Sequence, residues 1–279
     1  MAVWTWKGIK KGVVSTRYPD ETLLMPDGYR GKPEIDAERC TPTGCMRCAE
    51  ACLPRAITWE SDRGVLAVDY ARCVFCGLCE EVCPDHAIYL TREVELAART
   101  RDDLTVQVRL SSAGPAHDAE DLLETEVAAR LETESRRVFG RSLHVRHVDA
   151  GSCNGCESEL QALNNPYYNL HRLGIFFTPS PRFADLLLVT GPVTRAMEGP
   201  LRLAYEAMAD PKLVVAAGAC ACSGGIFPEN ALTMGGVEKI LPVDVYIPGC
   251  PPPPVALMQG LLLAIGRAEP RLKRTEINR

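Results

Sequence analysis

Twelve of the 13 cysteines in this 279-residue chain fall into three groups of four. Cys40, Cys45, Cys48 and Cys52 form one run, and Cys73, Cys76, Cys79 and Cys83 form a second that ends Cys83-Pro84. The third group is dispersed: Cys153 and Cys156 stand in Cys-Asn-Gly-Cys, Cys220 follows Gly218-Ala219, and Cys250 lies in Pro-Gly-Cys-Pro-Pro. Thiolate is the soft donor that iron–sulfur chemistry selects, and one cubane takes four of them. The arithmetic gives three [4Fe–4S] clusters and leaves one thiol, Cys222. One-electron transfer is the chemistry such a donor set serves.

Zinc and disulfides compete for the same residues. Structural zinc usually takes tetrahedral sets with longer gaps between paired thiolates, which two interleaved runs of four do not resemble. The opening MAVWTWKGIKKG lacks the apolar core and small-residue cleavage site of a secretory signal, and tight Cys-x-x-Cys spacing in a non-secreted chain favours metal. The second run matches the bacterial ferredoxin run, in which the fourth cysteine serves the other cluster. Three closely spaced thiolates wrap one cubane while the start of a helix carries the fourth away. The match assigns Cys40, Cys45, Cys48 and Cys83 to one cluster, and Cys73, Cys76, Cys79 and Cys52 to the other. The first run departs from the pattern: Thr41-Pro42-Thr43-Gly44 widens its first gap, and Leu53 pushes the proline out to Pro54.

The elements that must position these thiols change character along the chain. Residues 35–92 contain an internal repeat: Arg39-Cys40 matches Arg72-Cys73, Cys48 to Cys52 matches Cys79 to Cys83, and Ala56-Ile57 matches Ala87-Ile88. Ala56–Trp59 and Ala87–Leu90 read as short strands. Each half is too small to bury a core, so two halves stack around two clusters and need the metal to hold together. From Ser142 the pattern becomes strand then helix. Leu143–Val148, Ala184–Thr190, Lys212–Ala217 and Val243–Ile247 read as buried parallel strands, with helices over Glu157–Leu163, Pro200–Met208 and Val255–Arg267.

In such a sheet, ligands collect beyond the carboxyl ends of the strands. Cys153, Cys220 and Cys250 each follow a different strand, and Cys156 joins them at a helix start. Gly151, Gly155, Gly218 and Gly249 let the backbone approach closely. A scatter of core cysteines would instead sit inside strands. Cys222 reads as a buried thiol, with substitute ligation as the alternative. His144 and His147 straddle a predicted strand within reach of that cluster and read as ordinary strand histidines, since four thiolates already complete the coordination.

Composition sets limits. Hydrophobic residues make up 46% and charged residues 24%, as in an ordinary globular protein. A net charge of −5 supplies no basic footprint for nucleic acid. The longest apolar stretch, Val255–Ile265, is interrupted by Gln259 and is too short to span a bilayer. Trp4 and Trp6, beside Lys7, Lys10 and Lys11, mark an extended arm suited to docking on a partner, with a frayed terminus as the alternative. Asp118–Glu134 is acidic, carries Leu122, Leu123, Val127 and Leu131 at helical spacing, and reads as a solvated connecting helix. Ser111 to Pro115 marks a joint before it.

Five motifs run in order through residues 142–268: Asp149-Ala-Gly-Ser-Cys153-Asn-Gly-Cys156-Glu157, Gly191-Pro-Val-Thr-Arg195, Gly218-Ala-Cys220, Ser223-Gly-Gly-Ile-Phe227 and Tyr246-Ile-Pro-Gly-Cys250-Pro-Pro. This half resembles the small subunit of membrane-bound [NiFe]-hydrogenases of the formate-hydrogenlyase and energy-converting type. The homologous complex I 20 kDa subunit is similar, but typically has adjacent cysteines where this chain has Cys153-Asn-Gly-Cys156. The first half resembles two-cluster ferredoxins and the ferredoxin-like subunits of the same complexes. The chain is thus similar to a fusion of two neighbouring subunits.

The resemblance implies an α/β protein: an N-terminal two-cluster ferredoxin-like α+β domain joined to a flavodoxin-like doubly wound parallel-sheet domain. The expected divisions are a docking arm at 1–34, the two-cluster domain at 35–95, an acidic helical connector at 96–140 and the hydrogenase-like domain at 141–279. It implies an electron-relay subunit with no catalytic residue of its own. The partners implied are a nickel–iron large subunit or its nickel-free homologue, membrane-embedded subunits, and an external electron donor or acceptor. The setting would be cytoplasmic, peripheral to the inner membrane through those partners. Glu157 and Arg195 would meet the large subunit or tune the cluster by charge, or form a plain surface ion pair. A complex I-like quinone oxidoreductase module and a free ferredoxin-type carrier are the alternatives.

Overall fold

The computed structural model describes residues 2–40, 45–61, 64–110 and 142–272. The widened gap at Thr41–Gly44 and the acidic segment Asp118–Glu134 lie outside the described residues.

The N-terminal residues form a helix, α1 (Ala2–Lys11), rather than the extended arm expected. The chain then lies against the protein's own body. Thr16 N–H donates to the Tyr167 carbonyl at 2.8 Å, Arg172 donates to Thr16 Oγ1 at 3.0 Å, and Tyr18 is almost fully buried. Leu23, Met25 and Tyr29 pack on the same core. The apolar and aromatic residues after Ser15 therefore hold the arm down within the chain.

The cysteine-rich half alternates strands with short helices. β1 (Pro33–Ile35) precedes the first run, and α2 (Arg47–Ala51) and β2 (Ile57–Glu60) follow. β3 (Val65–Asp69) precedes the second run, and α3 (Leu78–Glu81) and β4 (Ile88–Leu90) follow. Both expected strands are present. Their pairing respects the repeat: β1 pairs with β4 and β3 with β2, both antiparallel. In each pair a strand preceding one run meets a strand following the other. β5 (Thr105–Arg109) then adds to the free side of β3. The alternation of Val106 and Val108 with exposed or half-buried neighbours is a half-buried strand signal that lies inside the expected connector, so the sheet reaches past residue 95.

In the second half, β6 (Leu143–Asp149) leads through α4 (Gly155–Ala162) to β7 (Ile175–Phe177) and β8 (Leu186–Thr190). A short antiparallel pair, β9 (Val193–Thr194) with β11 (Thr233–Gly235), brackets α5 (Arg195–Glu206), β10 (Leu213–Ala217) and α6 (Ala219–Ser223). β12 (Val245–Ile247) and α7 (Pro254–Ala264) complete it. The sheet order is β7-β6-β8-β10-β12, and every pair is parallel. In chain order this is 2-1-3-4-5, the flavodoxin-like sequence of strands. β7 was not expected, because Ile175–Phe177 is too short to show a period. All residues of β8 are buried, as a strand covered on both faces requires.

The two halves share a core. Ile57, Leu66, Val68 and Ile88 belong to one apolar cluster with Val148, Leu187, Val189 and Tyr246. The segment after β4 seals the joint. Ala98 exchanges backbone hydrogen bonds with Tyr246 at 3.0 and 2.8 Å. Ala97 N–H donates to Gln259 Oε1 at 2.9 Å, giving the polar group of the fully buried α7 a partner. Arg101 bridges Asp69 of β3 at 3.1 Å and Glu238 of the second half at 2.8 Å. Glu238 in turn accepts from the Tyr246 hydroxyl at 3.2 Å.

Arg101→Ala leaves Glu238 without its arginine and Asp69 with Arg72 alone, at 3.5 Å. It should cost about 2 kcal/mol, since charge-assisted bonds are worth roughly 1.5–3 kcal/mol each and this one is partly solvated. Urea unfolding under anaerobic conditions checks this, and the loss should be matched by Asp69→Asn/Glu238→Gln only in part.

Candidate iron–sulfur sites

The structure gathers the cysteines into three places. Cys40, Cys45, Cys48 and Cys83 line one small cavity whose remaining wall is largely apolar, from Met46, Trp59, Leu66 and Ile88. Cys52, Cys73, Cys76 and Cys79 line a second, with Pro54, Val74, Phe75 and Leu90. In both cavities the fourth cysteine of one run stands with the first three of the other. The third grouping lies beyond the sheet. β6, β10 and β12 end at Asp149, Ala217 and Ile247, and the following loops bring Cys153, Cys156, Cys220 and Cys250 within electrostatic range of one another.

Local geometry explains how the runs close. Arg55 and His86 both hold positive φ, at 53° and 48°, three residues beyond Cys52 and Cys83. The left-handed step turns the next N–H back, so that Ala56 N–H donates to Cys52 Sγ and Ala87 N–H to Cys83 Sγ, each at 3.2 Å. Neither residue is glycine, so each backbone carries strain on the order of 1 kcal/mol. Phe75, at φ 54°, similarly lets its N–H reach Cys73 Sγ at 3.4 Å. At the third grouping close packing replaces this device. A Cβ on Gly218, whose φ is 93°, would stand 2.7 Å from Cys156 Sγ.

Burial raises the thiol pKa of Cys40, Cys79 and Cys220 to about 11 and of Cys73 to about 12, with neighbouring thiols adding to the effect. Cys156 is pushed up further, by burial first and then by Glu157. Four mutually repelling, desolvated thiolates need a cation among them, and binding one releases their protons. Among the described residues no group of three or more histidines, cysteines or carboxylates converges closely enough for a single metal ion. The four-sulfur lining of the first two cavities fits an iron–sulfur group.

The remaining candidates separate clearly. Cys222 is fully buried, and its thiol lies 3.5 Å from the Ala216 carbonyl. His144 lies beside Phe176 and Asp185. His147, three positions along the strand, takes the other face: its Nε2 lies 2.9 Å from Thr190 Oγ1 and 3.6 Å from Glu157. Burial lowers the His147 pKa. Glu157 also accepts from Ser152 Oγ at 2.7 Å and from Thr190. It is thus part of an inward polar network beside Cys156, not a surface ion pair. Arg195 is outside this network and donates to the Asn230 carbonyl at 3.2 and 3.3 Å.

Sequence reasoning gave no contact between the second and third groupings. The Cys250 pKa is raised by burial, then by Cys153, then by Cys76 of the second grouping. Arg30 donates to the Cys76 carbonyl at 2.6 Å, and a cavity of about 290 Å³ lined by Arg30, Phe75, Glu159, Cys250 and Pro251 lies alongside.

Comparison with known proteins agrees with this geometry. Residues 39–87 match the 4Fe-4S dicluster domain family, which makes the chain an iron–sulfur protein. Residues 153–264 match the family described as NADH ubiquinone oxidoreductase, 20 Kd subunit. Formate hydrogenlyase subunit 7 of Escherichia coli is 46% identical over 147 residues, 53% of this chain and 58% of that protein. A probable membrane-bound hydrogenase subunit of Pyrococcus furiosus is 45% identical over 137 residues, 49% of this chain and 82% of that protein. An NADH-quinone oxidoreductase subunit of Citrifermentans bemidjiense is 50% identical over 107 residues, 38% of this chain and 62% of that protein. The chain belongs to the NADH ubiquinone oxidoreductase 20 kDa subunit family, and spans somewhat more than half the length of the formate hydrogenlyase relative.

Gly218→Val should drive the Cys156 thiol out of place and lower iron content by about four atoms per chain, one cubane's worth. Cys222→Ser should leave iron content unchanged. Iron and acid-labile sulfide assays on anaerobically prepared protein measure both.

Proposed function

We propose that the chain is an electron-transfer subunit of a membrane-associated, hydrogenase-like complex and holds three [4Fe–4S] clusters. Its first half is a two-cluster ferredoxin-like unit. Cys40, Cys45, Cys48 and Cys83 hold one cluster, Cys73, Cys76, Cys79 and Cys52 the second, and Cys153, Cys156, Cys220 and Cys250 the third. When bound, each cluster supplies reversible one-electron chemistry at a potential set by its surroundings. The chain's own residues set those surroundings. The N–H groups of Ala56, Phe75 and Ala87 donate to ligand sulfur, and the apolar walls around Trp59, Leu66 and Ile88 exclude water.

The observation that carries this reading is the meeting of the two cysteine loops: Arg30, which holds the Cys76 carbonyl, and Phe75 line one cavity with Cys250. It supports a series in which the third set faces the second and the second faces the first. The relatives named for hydrogenase complexes support a partner large subunit that holds the catalytic site beside the third set, with the first set turned to the external donor or acceptor. A complex I-like quinone oxidoreductase module is the second reading, favoured by the NADH-quinone oxidoreductase relative. Nickel co-purifying with the assembled complex decides between them.

Purified protein should contain about twelve irons and twelve acid-labile sulfides, four of each per cubane. About eight irons would remove the third cluster from the reading, and stoichiometric zinc would remove the ferredoxin-like assignment.

Cys83→Ser should perturb the spectrum of the cluster held by Cys40, Cys45 and Cys48, and Cys52→Ser that of the cluster held by Cys73, Cys76 and Cys79. In the assembled complex, Cys76→Ala should abolish electron exchange with the external partner while sparing hydrogen–deuterium exchange at the catalytic site. Cys156→Ala should impair both, and equal loss in the two variants would mean the sets do not act in series.

A further inference from the structure

α1 has no place in the reading above. Thr5 to Val14 are exposed without exception, and they include Trp6, which is 66% exposed, and Ile9, which is 76% exposed. These two residues lie three apart and share one side of the helix. Past the Gly12 turn, Val13 and Val14 are exposed as well. A run of large apolar side chains left in water marks a surface that something covers.

The charge says what covers it. The helix carries Lys7, Lys10 and Lys11 and no acidic residue, in a chain whose net charge is −5. Lys10 Nζ lies over the Trp6 ring, 5.4 Å from its centre, so cation and indole stand together on one side of the helix. Trp beside Lys is the pairing that suits the boundary between headgroups and acyl chains. At ten residues α1 is about 15 Å long, too short to cross a bilayer and long enough to lie in its surface. Its attachment is firm: Ser15 donates to the Pro166 carbonyl at 2.8 Å, Thr16 to that of Tyr167, and Tyr18 is buried just beyond.

We propose that α1 is an interfacial membrane anchor that lays Trp6 and Ile9 into an anionic lipid surface, with Lys7, Lys10 and Lys11 on the headgroups. It requires no partner subunit and goes beyond the electron-transfer reading, so either can fail alone.

The test is flotation of the full-length, cluster-loaded chain with vesicles of phosphatidylcholine alone and of phosphatidylcholine mixed equally with phosphatidylglycerol. Wild type should float with the anionic vesicles at low salt, at least about tenfold better than with neutral ones, and detach as salt is raised. Lys7→Gln/Lys10→Gln/Lys11→Gln should weaken this by roughly a hundredfold, at about 1 kcal/mol per lysine. Trp6→Ser/Ile9→Ser should weaken it by roughly tenfold or more, the worth of one buried large side chain. The visible iron–sulfur absorption of each variant reports that the body is intact, and the salt and lipid dependence of wild type tests the idea without any variant. Equal flotation with both vesicle types, or none with either, overturns the proposal. So does a self-associated species that dissolves on Trp6→Ser/Ile9→Ser while vesicles stay empty, since the face would then be a protein contact.

Discussion

Much in this molecule depends on the junction at which the loop of Phe75 and Cys76 meets the loop of Cys250, across one shared cavity. Electron transfer between bound clusters decays steeply with separation, so a chain that carries thiol sets on two differently built halves must keep their facing edges together. The halves are accordingly not hung on a linker. They share apolar side chains from Ile57 and Leu66 on one side to Leu187 and Tyr246 on the other. The segment from Ala97 to Arg101 adds directional bonds, pairing with Tyr246 and Gln259 and pinning Asp69 to Glu238. Apolar packing supplies the adhesion. Polar contacts at a shared core supply register, because only one docking satisfies all of them.

The thiol sites solve a second problem, that of gathering four desolvated sulfurs without metal-independent scaffolding. In the first half, strained left-handed steps at Arg55, Phe75 and His86 fold each loop over its own sulfur and donate an N–H to it. In the second half the sheet does the gathering. Parallel strands deliver their carboxyl ends to one edge, and Gly218 lets the loop after β10 pass against Cys156. Repeat symmetry serves two sites and sheet topology serves the third, and both arrive at an all-sulfur donor set.

Much of this was legible in the sequence because its signals are local or periodic. The repeat at Arg39-Cys40 and Arg72-Cys73 located β2 and β4. Continuous apolar runs located β6, β8, β10 and β12, and their order placed Cys153, Cys220 and Cys250 at one edge. What escaped is nonlocal. β5 looked like part of a connector because its partner, β3, is more than thirty residues away and only pairing makes Val106 and Val108 a buried row. The arm looked like a partner-seeking tail because nothing in residues 15–29 announces that Tyr18 and Tyr29 have pockets in their own chain. Glu157 could be read as a surface charge until Thr190 and Ser152, brought alongside by β8 and the loop before α4, were seen to receive it.

Fusing the two halves has a physical consequence beyond tidy stoichiometry. A ferredoxin-like unit and a sheet domain on separate chains would have to find each other and then hold with an interface that also excludes water from the facing thiols. On one chain the second association is intramolecular, so its effective concentration is high and modest contacts suffice. The chain then adds contacts that a separable pair would not need. Tyr18 and Arg172 tie the N-terminal segment to the second half, and Arg271 reaches Glu95 from the other end. Both ends of the described chain are therefore anchored at residues 94–101 or the helices beside them. Loosening either contact, that of Tyr18 or that of Arg271 with Glu95, frees the segment at Glu95, which runs directly into the joint that Ala97 and Ala98 make with Gln259 and Tyr246.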